Sequence, residues 1–81
     1  MIEPGIYRHF KGQFYAVDNV AKHSESDELY VVYRALYGER GLWVRPLEMF
    51  DETIEREGVR MKRFAPASEE EIVLLKSQQA D

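Results

Sequence analysis

YVVYRALYGERGLWVRPLEMF, residues 30–50, is the most densely apolar segment of the chain and contains its single tryptophan. β-Branched and aromatic residues, which favour strands, fill two runs in and beside it, Leu29 to Leu36 and Leu42 to Arg45. The glycine-bounded segment Gly38 to Gly41 separates the runs, a pattern typical of a β-hairpin. Neither face of the hairpin is purely polar, which predicts a sheet covered on both sides or closed into a small barrel.

Two further strands are predicted before this hairpin. Ile6 to Phe10 is a short candidate strand, and Gln13 to Lys22 is a longer one after a Lys-Gly turn. A bulge near residues 18–19 lets Val17 and Val20, which have opposite parity, point to the same side of the sheet. The polar segment 23–28 lacks periodicity and is predicted to be the loop that leads into the hairpin.

The segment after the hairpin predicts a helical turn and a second hairpin. Pro46 lacks an N–H, so the strand with the tryptophan should end there. Leu47 to Phe50 then predicts a tight helical turn whose apolar side chains, those of Leu47, Met49 and Phe50, plug the core. Glu52 to Glu55 and Val59 to Phe64 flank a turn around Gly58 and predict the second hairpin.

A helix is predicted at the end of the sequence. Ser68 followed three residues later by Glu71 is a capping box, and the helix should run to about Gln79. Its apolar stripe cannot stay exposed on a helix this short, so we expect it to dock. The first choice is its own domain, over Met61, Phe64 or the plug, and the alternative is a partner chain or a second copy.

Composition limits the class of protein. The 81 residues are enough for one domain, with a β core over 4–64 and a helix over 68–79. Because the chain has no cysteine, it offers neither disulfides nor a cysteine-based zinc site, and we expect a cytoplasmic location. No apolar run approaches the roughly 20 residues of a membrane span, so no membrane partner is expected.

Charge argues against a general duplex-binding surface. The net charge is −4, and residues 1–45 are neutral, with six basic and six acidic side chains. The whole excess lies in residues 46–81, with five basic and nine acidic side chains. A duplex-binding protein needs a basic stripe to displace counterions, so nucleic acid is the less favoured partner.

The central hairpin resembles a known family. The segments that carry the resemblance are VVYRALYG (31–38), GLWVRP (41–46), Met49-Phe50, GIYRHFKG (5–12) and AKHS (21–24). Over about residues 4–64 this pattern is similar to the small bacterial domain-of-unknown-function family 1653, and the WVRP segment at 43–46 is distinctive. The resemblance implies a family but no mechanism, and the predicted C-terminal helix lies outside it.

Histidines offer the first candidate site. His9 and His23 are the only two, and they could form a metal pair or an acid–base pair. Without cysteines or ligand spacing they are more often surface or hydrogen-bonding residues, and catalytic zinc needs three protein ligands. We therefore predict no metal, no cofactor and no catalytic residue, and an enzyme is the less favoured class.

Arginines among aromatic residues offer the second candidate site. An arginine fork beside an aromatic face suits a carboxylate, a phosphate or an unstacked base. For Trp43 we predict instead a mostly buried position at the centre of the core. For the arginines the alternative stays open that they pair with Glu39, Glu48 or Glu52 at the rim while the tyrosines fill the core. The candidate ligand-binding residues are Tyr7, Arg8, His9, His23, Arg34, Tyr37 and Arg45.

These patterns together predict a mostly β domain: a small antiparallel, SH3-like or partly open β-barrel of about five strands with one C-terminal α-helix. The function predicted is non-catalytic binding of a peptide, a protein or a small anionic ligand through the aromatic and arginine face. The alternative is single-stranded nucleic acid or nucleotide binding by stacking on that face.

Overall fold

The computed structural model describes residues 2–79 and is mostly β, as predicted. In chain order its elements are β1 (Gly5–His9), β2 (Phe14–Lys22), β3 (Leu29–Ala35), β4 (Leu42–Pro46), α1 (Leu47–Phe50), β5 (Thr53–Arg56), β6 (Val59–Lys62), β7 (Phe64–Pro66) and α2 (Glu69–Gln79).

Five of the strands form one antiparallel sheet in the order β4-β3-β2-β1-β7. β5 and β6 form a separate two-stranded sheet. Within residues 2–79 the main sheet is open, with β4 and β7 as its edges, so the strands do not close into a complete barrel. The central hairpin, β3 with β4, and the single C-terminal helix are confirmed.

Strand register gives the main sheet an inner and an outer face. Tyr7 lies opposite Tyr15, Val17 opposite Tyr33, and Tyr33 opposite Trp43, so these side chains share the inner face. The predicted bulge is confirmed, because the register between β2 and β3 shifts between Val17 and Asn19. Both Val17 and Val20 consequently contact the core.

The core lies on the inner face, beneath α1. It consists of Tyr7, Val17, Val31, Tyr33, Phe50 and Phe64, with Leu47 packed against it. Phe50 is fully buried, which confirms the plug at this position, but Met49 is 48% exposed and takes no part in it. In a single helical turn, residues three apart share a side, so Leu47 and Phe50 face the sheet while Met49 turns away.

Trp43 is not a core residue, and the prediction that it is mostly buried is wrong. Its side chain is 58% exposed. β4 is an edge of the sheet, so no strand lies beyond it to cover the indole. The ring instead lies against the backbone of Gly41, where an added Cβ would be 3.1 Å from the indole Nε1.

The second hairpin is shorter than predicted. β6 ends at Lys62, and Phe64 begins a separate strand, β7, which pairs with β1 in the main sheet. Arg63 lies between them, with its N–H donating to Glu52 O and its C=O accepting from the N–H of Phe10. These two bonds direct the chain from the small sheet to the large one.

α2 begins with the predicted capping box. The Glu71 N–H donates to Ser68 Oγ at 3.1 Å, and the Ser68 N–H donates to Glu71 Oε1 at 2.9 Å. Glu71 also pairs with Arg8, at 3.4 Å, and Arg8 lies on the outer face. The first turn of the helix therefore lies near Arg8, on the outer face of the sheet, and the docking of its apolar stripe stays a prediction.

Val73 and Leu74 of α2 remain exposed, while Ile72 and Leu75 are half-buried. No helix within residues 2–79 is long and apolar enough to cross a membrane.

Candidate ligand-binding face

Tyr15 is the centre of an aromatic cluster on the inner face. Alternation along β2 puts it on the same face as Val17, and the register puts it opposite Tyr7 and Ala35. Its ring makes edge-to-face contacts at centroid distances of 5.4 to 6.2 Å with the rings of His9, Tyr33, Tyr37 and Phe64. Such contacts hold each ring in a defined orientation.

Arg45 reaches this cluster from the edge strand. It lies opposite Val31 on the inner face, its Nε donates to the hydroxyl of Tyr33 at 3.4 Å, and its guanidinium carbon lies 5.8 Å from the centre of the Phe64 ring. The ion pairs within residues 2–79 are Arg8–Glu71, Lys62–Asp51 and Arg63–Glu52, and Arg45 belongs to none of them. We call His9, Tyr15, Tyr33, Tyr37, Arg45 and Phe64 the Arg45 cluster.

His9 lies in a positive electrostatic potential. Partial burial lowers its pKa, and the charges of Arg63, Lys11 and Arg45 lower it further. Its Nδ1 accepts a hydrogen bond from the Lys11 N–H at 3.2 Å, so the neutral ring carries its proton on Nε2. The ring is thus an uncharged hydrogen-bond donor in cationic surroundings.

The hydroxyls of Tyr15 and Tyr37 form a hydrogen bond of 2.7 Å. Burial raises the pKa of Tyr15, and the hydrogen bond to Tyr37 raises it further, so the Tyr15 hydroxyl is protonated near neutral pH. The hydrogen bond between the two hydroxyl groups uses the proton of only one of them. The accepting hydroxyl therefore keeps an O–H that can donate to a ligand.

Arg63 adds a second guanidinium near His9. Its Nη2 lies 3.5 Å from Glu52 Oε2, so this charge is partly balanced. Its Nε is buried and lacks a hydrogen-bond partner within residues 2–79. The sequence pattern gave no reason to select Arg63, because its position depends on the bend between β6 and β7.

Three of the seven predicted residues, His9, Tyr37 and Arg45, come together in the Arg45 cluster. Tyr7 is buried, and its hydroxyl donates to the Glu3 C=O at 2.9 Å. Arg8 lies on the outer face with Glu71.

The other two predicted residues also lie apart from the cluster. Arg34 is on the outer face, where its Nη1 donates to the Arg40 C=O at 2.9 Å. His23 stabilises its own loop, since its Nδ1 accepts from the N–H groups of Glu25 and Ser26. The other three members of the cluster, Tyr15, Tyr33 and Phe64, were not among the predicted site residues. For Tyr15, the face that it shares with Val17 was a signal.

The members of the Arg45 cluster differ in exposure: Tyr33 and Phe64 are buried, Tyr15 and Arg45 are half-buried, and Tyr37 is exposed. Three surface pockets lie elsewhere: one between β3 and the start of α1, with a volume of about 230 Å³, one beside α2, and one near the N-terminal segment. A ligand of the Arg45 cluster would meet the accessible parts of these side chains on the inner face of the sheet. Among residues 2–79, no three His, Asp or Glu side chains are placed to hold a metal ion; the absence of a metal in the purified protein stays a prediction.

Comparison with known proteins agrees with the resemblance seen in the sequence. Residues 5–66 match the model of a family described as "Protein of unknown function (DUF1653)". A crystal structure of a DUF1653 protein from Bordetella bronchiseptica is 36% identical to this chain, with a TM-score of 0.75 over 83% of this chain and 88% of that one. No curated protein matches.

Proposed function

The chain belongs to the DUF1653 family, and we propose that it is a non-catalytic binding module that holds a carboxylate, from a small anionic ligand or an acidic peptide, on the Arg45 cluster. The observation that carries the proposal is the state of Arg45. This arginine lies among aromatic rings, bonds Tyr33 through Nε, and has no carboxylate partner within residues 2–79. Both Nη groups are therefore available to a carboxylate, which a guanidinium binds through two parallel hydrogen bonds.

The neighbours of Arg45 suit the same ligand. The spare O–H of the Tyr15 and Tyr37 pair and the Nε2–H of His9 are uncharged donors, and Arg63 and Lys11 add positive charge. No aspartate or glutamate of residues 2–79 is paired with Arg45 to compete with the ligand. We picture the domain as a cytoplasmic bacterial module of the SH3-like type, in which ligands lie on an aromatic strand face.

Nucleotide or single-stranded nucleic acid binding is the second candidate. Tyr37 and Trp43, which are 46% and 58% exposed, are rings on which a base could stack. Against it, Tyr15, Tyr33 and Phe64 already contact one another edge to face, and the net charge is −4. The stacking surface is therefore small and the electrostatic attraction weak.

Titration followed by NMR tests the proposal. Acetate, succinate and a glutamate-rich peptide should each shift the Arg45 side-chain Nε–H and the ring resonances of Tyr37 and His9. Arg45→Gln should weaken binding at least about tenfold, the loss expected for a charge-assisted hydrogen bond. Arg34→Gln is the matched control, because Arg34 lies on the adjacent strand but on the outer face.

The proposal is wrong if Arg45→Gln and Arg34→Gln weaken carboxylate binding equally, or if none of the carboxylates shifts these resonances. The second candidate would be established in its place if oligo(dT) binds saturably and shifts the ring resonances of Tyr37 and Trp43, while the carboxylates do not bind.

A further inference from the structure

β4 is an exposed edge strand whose free hydrogen-bonding groups can be assigned. The Ala35 N–H donates to the Gly41 C=O at 3.0 Å, so Gly41 turns its main-chain polar groups toward β3. In an antiparallel ladder this direction alternates, and the register between β3 and β4 has no shift. Trp43 and Arg45 therefore also bond β3, while Leu42, Val44 and Pro46 turn their main-chain groups to the open side.

The side chains of this edge are apolar on both faces of the sheet. Leu42 and Val44, on the outer face, are 53% and 62% exposed, and Trp43, on the inner face, is also exposed. Sheet proteins usually protect such an edge with charged side chains, a bulge or a covering segment. β4 has little of this protection, because Arg45 is the one charged residue of the strand and its register with β3 contains no bulge.

We propose that β4 pairs with β4 of a second copy of the chain, antiparallel and about a two-fold axis at Val44. Val44 is the middle residue of the five in β4, so a two-fold axis at Val44 pairs every residue of the strand with a residue of the other copy. Each Val44 N–H then donates to the Val44 C=O of the other copy, and each Leu42 N–H donates to the Pro46 C=O. Because Pro46 has no N–H, the Leu42 C=O of each copy receives no main-chain bond in return, so the register is held by four main-chain bonds in total.

The side chains favour a second copy over an unrelated strand. In this register Trp43 of one copy lies opposite Arg45 of the other, as a pair without mutual main-chain bonds, where side chains are closest. The Arg45 guanidinium lies toward Tyr33 and Phe64, so the aliphatic part of the Arg45 side chain is what meets the indole of the other copy. On the outer face Val44 meets Val44 and Leu42 meets Pro46, so each exposed apolar side chain gains an apolar neighbour. Closed two-fold pairing of this kind is also the commonest form of homo-oligomer.

Charge exchange at residue 44 tests both the dimer and its register. Sedimentation velocity should show the chain as a dimer that dissociates on dilution. Val44→Glu and Val44→Lys each place like charges opposite one another and should raise the dissociation constant at least about tenfold. An equimolar mixture of the two variants should dimerise again, since only a two-fold axis at residue 44 puts the new glutamate opposite the new lysine.

Val59→Glu is the matched control. Val59 is a similarly exposed valine, at 57%, on β6 of the small sheet, and this variant should stay dimeric. Dichroism of each variant confirms that it is folded.

A cross-link gives an independent readout, because the chain has no cysteine of its own. Paired residues at the axis have Cα atoms about 5.5 Å apart, within the range that a disulfide spans. Val44→Cys should therefore form a covalent dimer on mild oxidation, whereas Val73→Cys, on the exposed side of α2, should not.

The proposal is wrong if the chain is monomeric at millimolar concentration, if Val44→Glu leaves the dimer intact, or if Val73→Cys cross-links and Val44→Cys does not. Val44 lies on the outer face and outside the Arg45 cluster, so its variants test the dimer without changing a residue of the proposed ligand site, and the oligomeric state is measured without ligand.

Discussion

The rings of Phe50 and Phe64 are stacked, with centroids 4.1 Å apart and planes only 4° from parallel. One belongs to α1 and the other to β7, so the contact joins the plug to the edge strand beyond β1. Tyr33 meets both rings edge to face. This trio holds the helical turn, the centre of the sheet and its last strand together in one core.

Phe50→Ala should be severely destabilising. The side chain is fully buried and contacts three aromatic rings, and removing such a group costs roughly 3 to 5 kcal/mol, a large part of the stability of a small domain. Chemical denaturation should show the loss. Met49→Ala, one residue earlier but exposed, is the control and should change stability by about 0.5 kcal/mol or less. Similar losses in both variants would contradict the assignment of the plug.

Trp43→Ala should leave the fold intact. We expect a change of only about 0.5 to 1 kcal/mol in the free energy of unfolding, because the indole is mostly exposed on an edge strand. Dispersed amide resonances and a nearly unchanged thermal midpoint in dilute solution would check this. Global unfolding of the variant would instead show that the indole is a core residue, as the sequence pattern first suggested.

His9 should make stability depend on pH below neutrality. Burial and the nearby positive charges hold its pKa below the ordinary value of 6.5. The unfolded chain therefore binds the proton more readily than the folded one. The stability of the folded state is fully present above pH 6.5, and it falls as the pH drops below 6.5 through the lowered pKa of the folded state.

An NMR titration of the His9 ring should give a midpoint below 6.5. Arg63→Gln should move the midpoint upward, since Arg63 is the charge that lowers it most. A midpoint at or above 6.5 in the unaltered protein would refute the electrostatic description of the site.

Ser68→Ala should fray the start of α2. The change removes the oxygen that accepts the Glu71 N–H, and losing a serine cap costs a helix about 1 kcal/mol. Amide exchange in the first turn should become several-fold faster, while Ser77→Ala, near the other end, should leave it unchanged.

Acid should weaken the same cap. The Ser68 N–H is the main cause of the lowered pKa of Glu71, so this bond is present above the ordinary pKa of 4.5 and is lost as the pH falls further. First-turn exchange that is insensitive to Ser68→Ala would show that the capping box does not hold the helix start.

Local patterns in the sequence predicted local structure well. The central hairpin, the bulge after Val17 and the capping box at Ser68 each follow from a few neighbouring residues, and all three are present. What the sequence did not reveal is which strand lies at an edge. Trp43 sits between apolar neighbours, as a core residue does, and only the absence of a strand beyond β4 leaves it exposed.

The candidate site shows the same difference between local patterns, which the sequence predicts, and long-range pairing, which it does not. Arg45 and Tyr37 could be selected because arginine and tyrosine recur along the hairpin. Phe64 and Arg63 could not, because they reach the cluster only through the pairing of β7 with β1, which joins distant parts of the chain. Tyr7 was selected on residue type alone, and its burial depends on its position between two other strands.

Because β1 lies between β2 and β7, we expect its two partners to pair with it at different times during synthesis. β1 to β4 are consecutive neighbours and can pair as soon as each leaves the ribosome. The second partner of β1 arrives much later, because Tyr7 lies opposite Pro66. Until translation has passed Pro66, the nascent sheet must keep its apolar inner face without Phe64, a period in which it is open to chaperones and to aggregation.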